Sequence, residues 1–395
     1  MSVAARQLTR RAVTRVWGPA LLLLWAAPYA LAAYSSITSS TSPLDLNVFL
    51  ATGKALIAGD APYSLRGTND LSAPASLPFF HALAAVHSAW TPVGWYVASL
   101  SAYLLSVSLL ARMYPNLASA SRQSWAIAQC GLWTTLALGQ VYALLLLPFT
   151  LAYWAIRENR LLFAGLAAGL VIAFKPNFVL WPLLLLLTGR RRLALALIGG
   201  ALLWCIPPVL LYGPEAYVLW LELARLRTPI ELANPANASI ESLAYRLGFG
   251  WIGLPLSALA FLGIAGWALR TRPSTERLGP VAILSGILLS PVAWVGYVCF
   301  LIPGFFSRAW NRPVTLAAAL LLVPLWFRAI FGEGFSDVWG ACNALAYGFL
   351  AIGLLLPDRP SAAMPQLTGF SDAAVSETAL PGGQTGRGTG RRSDA

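Results

Sequence analysis

Residues 161–212 read LLFAGLAAGLVIAFKPNFVLWPLLLLLTGRRRLALALIGGALLWCIPPVLLY. Three apolar stretches follow one another here, each too uniformly hydrophobic to face water on any side. A single charge, Lys175, stands between the first two and is followed at once by Pro176. Arg190, Arg191 and Arg192 stand between the second and third. Apolar segments bounded by arginines at one end and a Lys-Pro break at the other describe a chain folding back and forth through a bilayer. The whole chain repeats the pattern. Of its 395 residues 58% are hydrophobic and 11% charged, with a mean hydropathy of +0.67. Soluble domains are about 25% charged, so a water-soluble enzyme is excluded.

Working outward, apolar runs near 16–34, 92–111, 123–138, 141–156, 161–174, 176–189, 193–212, 250–269, 279–290, 292–306, 314–330 and 337–356 predict an all-α polytopic bundle of about twelve crossings. Segment 77–90, between Pro78 and Pro92, reads as an interfacial or re-entrant helix. Several runs are shorter than the roughly 20 residues that a full crossing needs, which predicts tilted or broken helices. With Arg6, Arg10, Arg11 and Arg15 placed in the cytoplasm, 20 of the 27 basic residues fall inside and nine of the 15 acidic ones outside. That is the asymmetry expected of a cell-membrane protein with both termini cytoplasmic. The net charge of +12 therefore reads as arginine-rich cytoplasmic loops and lipid headgroups, not as a nucleic-acid surface. Residues 1–356 read as one transmembrane domain. Residues 357–395, rich in Gly, Ser, Ala and Arg, read as a disordered cytoplasmic tail. Cys130, Cys205, Cys299 and Cys342 form no CxxC pair, and His81 and His87 lack acidic partners at ligand spacing, so no metal site is expected.

This topology leaves two long outer loops, about 35–91 and 213–249, and the chemistry is expected there. In the first, Leu46, Phe49, Leu50, Leu56 and Ile57 predict a short helix on the bilayer surface, ended by Gly59 and Pro62. Asp45 stands at its start. One reading makes it a helix cap; the other makes it a general base whose pKa partial desolvation raises toward working pH. An ionisable residue at membrane depth such as Lys175 is costly and marks function by default. A compact ammonium suits a phosphate partner, while snorkelling to headgroups is the bland alternative. In the second loop, 215–227 interleaves Tyr217, Leu219, Trp220, Leu223 and Leu226 with charges, giving another surface helix. Downstream, Arg246 reads equally as a bidentate phosphate ligand or as a partner for Glu241. Ser290-Pro291 with Trp294 and Tyr297 reads first as a proline kink with packed aromatics.

In this order the elements resemble glycosyltransferase family 87, a group of polytopic GT-C-type membrane enzymes. The resemblance rests on Asp45 with Gly59-Asp60-Ala61-Pro62-Tyr63, then Leu138-Gly139-Gln140 and Ala164-Gly165 leading to Lys175-Pro176. It continues with Asn237-Ala238-Ser239 and Arg246, and with Ser290-Pro291 and Trp294. It implies a GT-C-like bundle, Asp45 as the catalytic carboxylate, and a polyprenyl-phosphate sugar as donor substrate with no other cofactor. Lys175, Arg246, Gln140, Asn237, Ser239, Ser290, Trp294, Tyr297 and Tyr63 are then expected to line the donor and acceptor sites. Three positions depart from the family pattern. Tyr142 stands where Asn is frequent, Ala238 where Gln is common, and Gly296-Tyr297 where a histidine tends to follow the Ser-Pro and Trp element.

The implied chemistry moves a hexose such as mannose, or a pentose, to a lipid or glycan acceptor outside the cytoplasm, with inversion. Asp45 would deprotonate the acceptor, while Lys175 and Arg246 stabilise the leaving phosphate. A secondary transporter would show a symmetric repeat and midplane polar groups, whereas the polar features here lie in one-sided loops. A noncatalytic envelope-assembly protein is the third class. The topology is testable with single cysteines in a cysteine-free background. Asp60→Cys is expected to react with an impermeant maleimide added to intact cells, and Arg191→Cys only after permeabilisation.

Overall fold

The helices α7 (Leu161–Phe174) and α9 (Arg191–Tyr212) cross with their backbones in contact, and that contact organises the middle of the bundle. A Cβ on Gly165 would run into the carbonyl of Ala196, one on Gly169 into the backbone of Gly200, and one on Gly200 into the carbonyl of Gly165. Lipid tails are as apolar as leucine, so helices in a bilayer associate through close packing of small residues rather than through water exclusion. The Ala164-Gly165 element is thus a helix-crossing surface.

The computed structural model describes residues 18–22, 24–28, 31, 44–63, 71–323, 332 and 334–357. Around the crossing lie α1 (Leu44–Ile57), α2 (Leu77–Ala85), α3 (Thr91–Met113), α4 (Ala120–Ala128), α5 (Cys130–Leu138), α6 (Tyr142–Arg157) and α8 (Leu180–Leu187). They are followed by α10 (Glu215–Ala233), α11 (Ile240–Arg246), α12 (Gly250–Thr271), α13 (Thr275–Leu288), α14 (Ile302–Phe306), α15 (Arg312–Leu320) and α16 (Phe335–Leu355). Short 3-10 turns cover Pro74–Ser76, Pro176–Val179 and Val295–Leu301, and no strand occurs among the described residues. Four of these helices, α3, α9, α12 and α16, are long and apolar enough to cross a membrane.

The structure corrects the expected spans in two places. Stretch 123–138 is not one helix: it breaks at Gln129, whose backbone is extended and whose Oε1 accepts a 2.6 Å hydrogen bond from the amide of Gly131. The side chain caps α5, so α4 and α5 are each half the expected length. Stretch 292–306 is a 3-10 turn leading into the five-residue α14, with Gly304 packed on Pro280 of α13. Segment 77–90 contains α2, tied to α1 by a stack of Phe49 on Phe80 at 4.3 Å. Arg6, Arg10, Arg11, Arg15, Arg66, Arg328 and the expected tail from 358 onward lie outside the described residues.

The helices sort the charges to two ends. The 16-residue α6 runs from Tyr142 to Arg157, about 24 Å at 1.5 Å per residue. The next helix, α7, returns to Lys175, α13 runs from Glu276 toward Ser290, and α16 runs from Asp337 to Leu355. At the arginine end Arg157 pairs with Glu276 at 3.4 Å. The carbonyls that finish α16 have no partners within their own helix. Arg308 donates to Leu354 at 3.0 Å, and Arg277 donates to Leu355 and Leu356 at 2.9 and 2.7 Å. Cations there also meet the negative end of the helix dipole. The opposite end carries Asp45, Lys175 and Ser290. The crossing is testable at adjacent glycines. Gly200→Ala is expected to destabilise the purified protein by roughly 1–3 kcal/mol through overpacking. Gly199→Ala, where nothing lies within 4 Å of the added Cβ, is expected to leave the thermal midpoint unchanged or higher.

Candidate active site

The end opposite the arginines encloses a cavity of about 1050 Å³, at the upper limit of small-molecule sites. Asp45 enters it from the first turn of α1. That helix is held in place because Gly53 lets the carbonyl of Phe80 approach closely, and it stops at Gly59, whose φ is +87°. The amides of Gly59 and Asp60 then bond back to Leu56 and Ala55, a left-handed helix cap. Gly139 does the same for α5. Its φ of +71° turns the chain so that Gln140 faces α1, and Gln140 Nε2 donates to Asp45 Oδ2 at 2.7 Å. An ionised carboxylate only accepts hydrogen bonds, so it fixes the amide with the nitrogen toward Asp45. Asp45 is thus a first-turn residue of α1 bonded to a loop distant in sequence.

Lys175 comes from the end of α7. Its amide bonds to Val171, and Pro176 forces a 3-10 turn in which the amide of Phe178 bonds back to the Lys175 carbonyl. The ammonium lies 4.9 Å from the ring centroid of Tyr142 and 5.9 Å from that of Tyr297. Those two rings stack on each other at 4.9 Å. Ser290 and Trp294 also line the cavity, and Ser290 Oγ accepts from the amide of Val292 at 3.3 Å. The structure thus gathers Asp45, Gln140, Lys175, Ser290, Trp294 and Tyr297 in one chamber. Of the positions that depart from the family pattern, Tyr142, Gly296 and Tyr297 touch one another there, since a Cβ on Gly296 would lie 2.6 Å from the Tyr142 ring, while Ala238 is buried outside the lining.

Four expected site residues lie outside the cavity lining. Asn237 is fully buried and spends its amide on backbone. It donates to the carbonyls of Glu231 and Pro291 at 2.9 and 2.8 Å and accepts from the amides of Ser239 and Ala293. Ser239 caps α11 and donates to Pro291. The Arg246 guanidinium donates to the carbonyls of Pro235 and Asn237 at 3.1 Å each, which fixes the loop instead of facing the chamber. Tyr63 donates to the carbonyl of Ser72 at 2.7 Å. These residues hold the Ser290-Pro291 stretch and the neck of the first loop.

Sequence reasoning missed a second wall of the cavity. Helix α10 presents Trp220, Ala224, Arg227, Thr228 and Glu231 to the cavity. Their spacing of 4, 3, 1 and 3 marks one helical face, a signal present in the sequence. Arg227 pairs with Glu231 at 3.6 Å. Burial raises the Glu231 carboxyl pKa and the neighbouring Arg227 pulls it back. Asp337 and Trp339 of α16 complete the lining.

Carboxylates, an amide, two cations and aromatic faces thus line one cavity of a helical bundle that carries four membrane-length helices. The chain belongs to glycosyltransferase family 87, whose sequence model matches residues 73–293, and it is a glycosyltransferase. It is 27% identical over 333 residues to the polyprenol-phosphate-mannose-dependent alpha-(1-2)-phosphatidylinositol pentamannoside mannosyltransferase of Mycobacterium tuberculosis (strain CDC 1551 / Oshkosh), covering 76% of this chain and 74% of that protein. No solved structure matches the chain. Asp45 precedes the family match, and its hydrogen bond to Gln140 ties it to the matched region. Removing the Asn237 amide leaves several buried backbone groups unsatisfied, at about 1–3 kcal/mol each. Asn237→Ala is accordingly expected to lower the thermal midpoint sharply, while the surviving folded fraction keeps its donor KM.

Proposed function

We propose that the chain transfers a sugar from a polyprenyl-phosphate donor to a lipid or glycan acceptor at the extracytoplasmic membrane face, with inversion. The acceptor hydroxyl gives its proton to Asp45 while its oxygen attacks the anomeric carbon. The bond from that carbon to the phosphate oxygen breaks, and the electron pair leaves on the polyprenyl phosphate. The observation that carries this reading is Asp45 oriented by Gln140 in the same cavity as Lys175. Gln140 holds the base in one rotamer, which favours a near-attack geometry over a floating carboxylate. Lys175 and Arg227 are the cations of the cavity, and they take the phosphate-binding role that the sequence pattern gave to Lys175 and Arg246. Both act where charge develops on the departing phosphate. With that charge supplied by side chains, the reading includes no metal.

Two features support the membrane placement. Most of the described arginines sit at the end away from the cavity, the arrangement that the positive-inside tendency gives to a chamber facing outward. Helix α10 turns its polar face to the cavity and exposes Val218, Leu221, Leu226 and Ile230, as a helix lying in the interface does. About twelve crossings, counting short and broken helices, accommodate this arrangement. The donor class follows the donor named for the mycobacterial relative, and the phosphatidylinositol pentamannoside in that name supports a glycolipid acceptor here.

Purified protein incubated with radiolabelled polyprenyl-phosphate mannose and extracted envelope lipids, in buffer containing a chelator, tests the reading. Wild type is expected to transfer label. Asp45→Asn is expected to lower kcat about 10²–10⁴-fold, the range for loss of a general base, with the donor KM little changed. Transfer at the wild-type rate by Asp45→Asn contradicts it.

A further inference from the structure

The Lys175 ammonium sits in a built aromatic cradle. Tyr142 and Tyr297 are both buried in the wall of the cavity, 3% and 6% exposed, and Lys175 Nζ is within 6 Å of both ring centroids. The rings are fixed from behind by two fully buried phenylalanines. Phe300 meets the Tyr142 ring edge-on at 5.9 Å, Phe178 meets Tyr297 edge-on at 6.0 Å, and the two phenylalanines meet at 4.9 Å. The backbone side is equally constrained. Pro176 directs the chain away from α7, and Asn177 Nδ2 bonds to the carbonyl of Gly286 on α13 at 3.3 Å. Gly296 is the enabling residue, because a side chain there would lie 2.6–2.7 Å from Tyr142 ring carbons and push that ring off its partner. Two tyrosines far apart in the chain thus meet at one charged atom, and the residues around them hold the rings in place.

A lysine side chain loses much of its rotamer freedom, an entropic cost, when it is ordered. If substrate had to order it, binding would be weaker by that amount. A cation held against aromatic faces in the wall of the cavity is ordered in advance, so a ligand that meets it does not have to order it. We propose that Tyr142 and Tyr297 are positioning residues that pre-order the Lys175 ammonium for the prenyl-linked phosphate, and that Gly296 is small so that the cradle can form. The inference rests on the donor reading given above. The tyrosines make no bond to reacting atoms; they act through Lys175.

The test is a binding cycle with farnesyl phosphate as probe and the full chain purified in detergent. Affinity is measured by calorimetry, and each variant's thermal midpoint is measured alongside. Tyr142→Leu is expected to weaken farnesyl phosphate binding about 5–30-fold, the range for a desolvated cation–π contact. Tyr142→Phe, which keeps the ring face, is expected to recover most of that affinity. In a Lys175→Met background, Tyr142→Leu is expected to cause no further loss. Gly296→Ala and Tyr297→Leu give the same readout through the other side of the cradle if Tyr142→Leu does not fold. Wild-type affinity in folded Tyr142→Leu or Gly296→Ala protein overturns the inference, and so does an equal loss with and without Lys175. If wild type itself does not bind farnesyl phosphate, the donor reading falls as well, and that result is distinct from the other two.

Discussion

Lipid gives a charge nowhere to hide, and that constraint shapes the whole molecule. A charged side chain in the hydrocarbon region is expensive unless it reaches a helix end, a partner or a polar chamber. The helices of this chain push their charges to their termini, and because they run antiparallel the termini collect at two ends. At one end guanidinium groups satisfy the carbonyls that close α16 and pair with Glu276. At the other, a carboxylate, an ammonium and an Arg-Glu pair share a cavity. At the first end Arg277, Arg308 and Arg157 are tied to protein groups; at the second the charged side chains line open space.

The same economy explains the broken helices. A continuous helix from Ala120 to Leu138 would carry its amides past Gln129, yet the chain kinks there, and Gln129 replaces the missing bond with its own side chain. Non-helical backbone is tolerated at membrane depth when it lines a cavity or is buried in protein. The breaks at Gly139-Gln140, Lys175-Pro176 and Ser290 through Trp294 all fall at the cavity. Chain reversals that look like defects in a membrane bundle are where the cavity is assembled.

Much of this was legible in the sequence, for physical reasons. Apolar period and arginine spacing located α3, α7, α9, α12 and α16, because burial in lipid leaves little freedom in composition. Asp45, Gln140, Lys175, Ser290, Trp294 and Tyr297 were legible because polar or helix-breaking residues in apolar surroundings stand out. Asn237, Ser239 and Arg246 were equally conspicuous, yet they bond to backbone carbonyls and amides of their own loop and of the Pro291–Ala293 stretch. Side-chain type alone does not distinguish a group that binds substrate from one that binds the main chain. Arg227 and Glu231 were hidden by the opposite effect, lying among other charges of a helix that reads as an ordinary surface element. The tyrosine cradle depends on contacts between residues 142, 175 and 297, far apart in sequence and visible only in three dimensions.

The central claim is that Asp45 and Lys175 face one bound donor across a single chamber. The most direct measurement is a cryo-electron-microscopy structure of the full chain with a non-hydrolysable prenyl-phosphonate mannose. The account predicts the phosphonate within about 3.2 Å of the Lys175 ammonium, hydrogen-bonding distance, with the anomeric carbon turned toward Asp45. A phosphonate held at the arginine end, or a sugar turned away from Asp45 with Gln140 no longer bonded to it, would contradict the account.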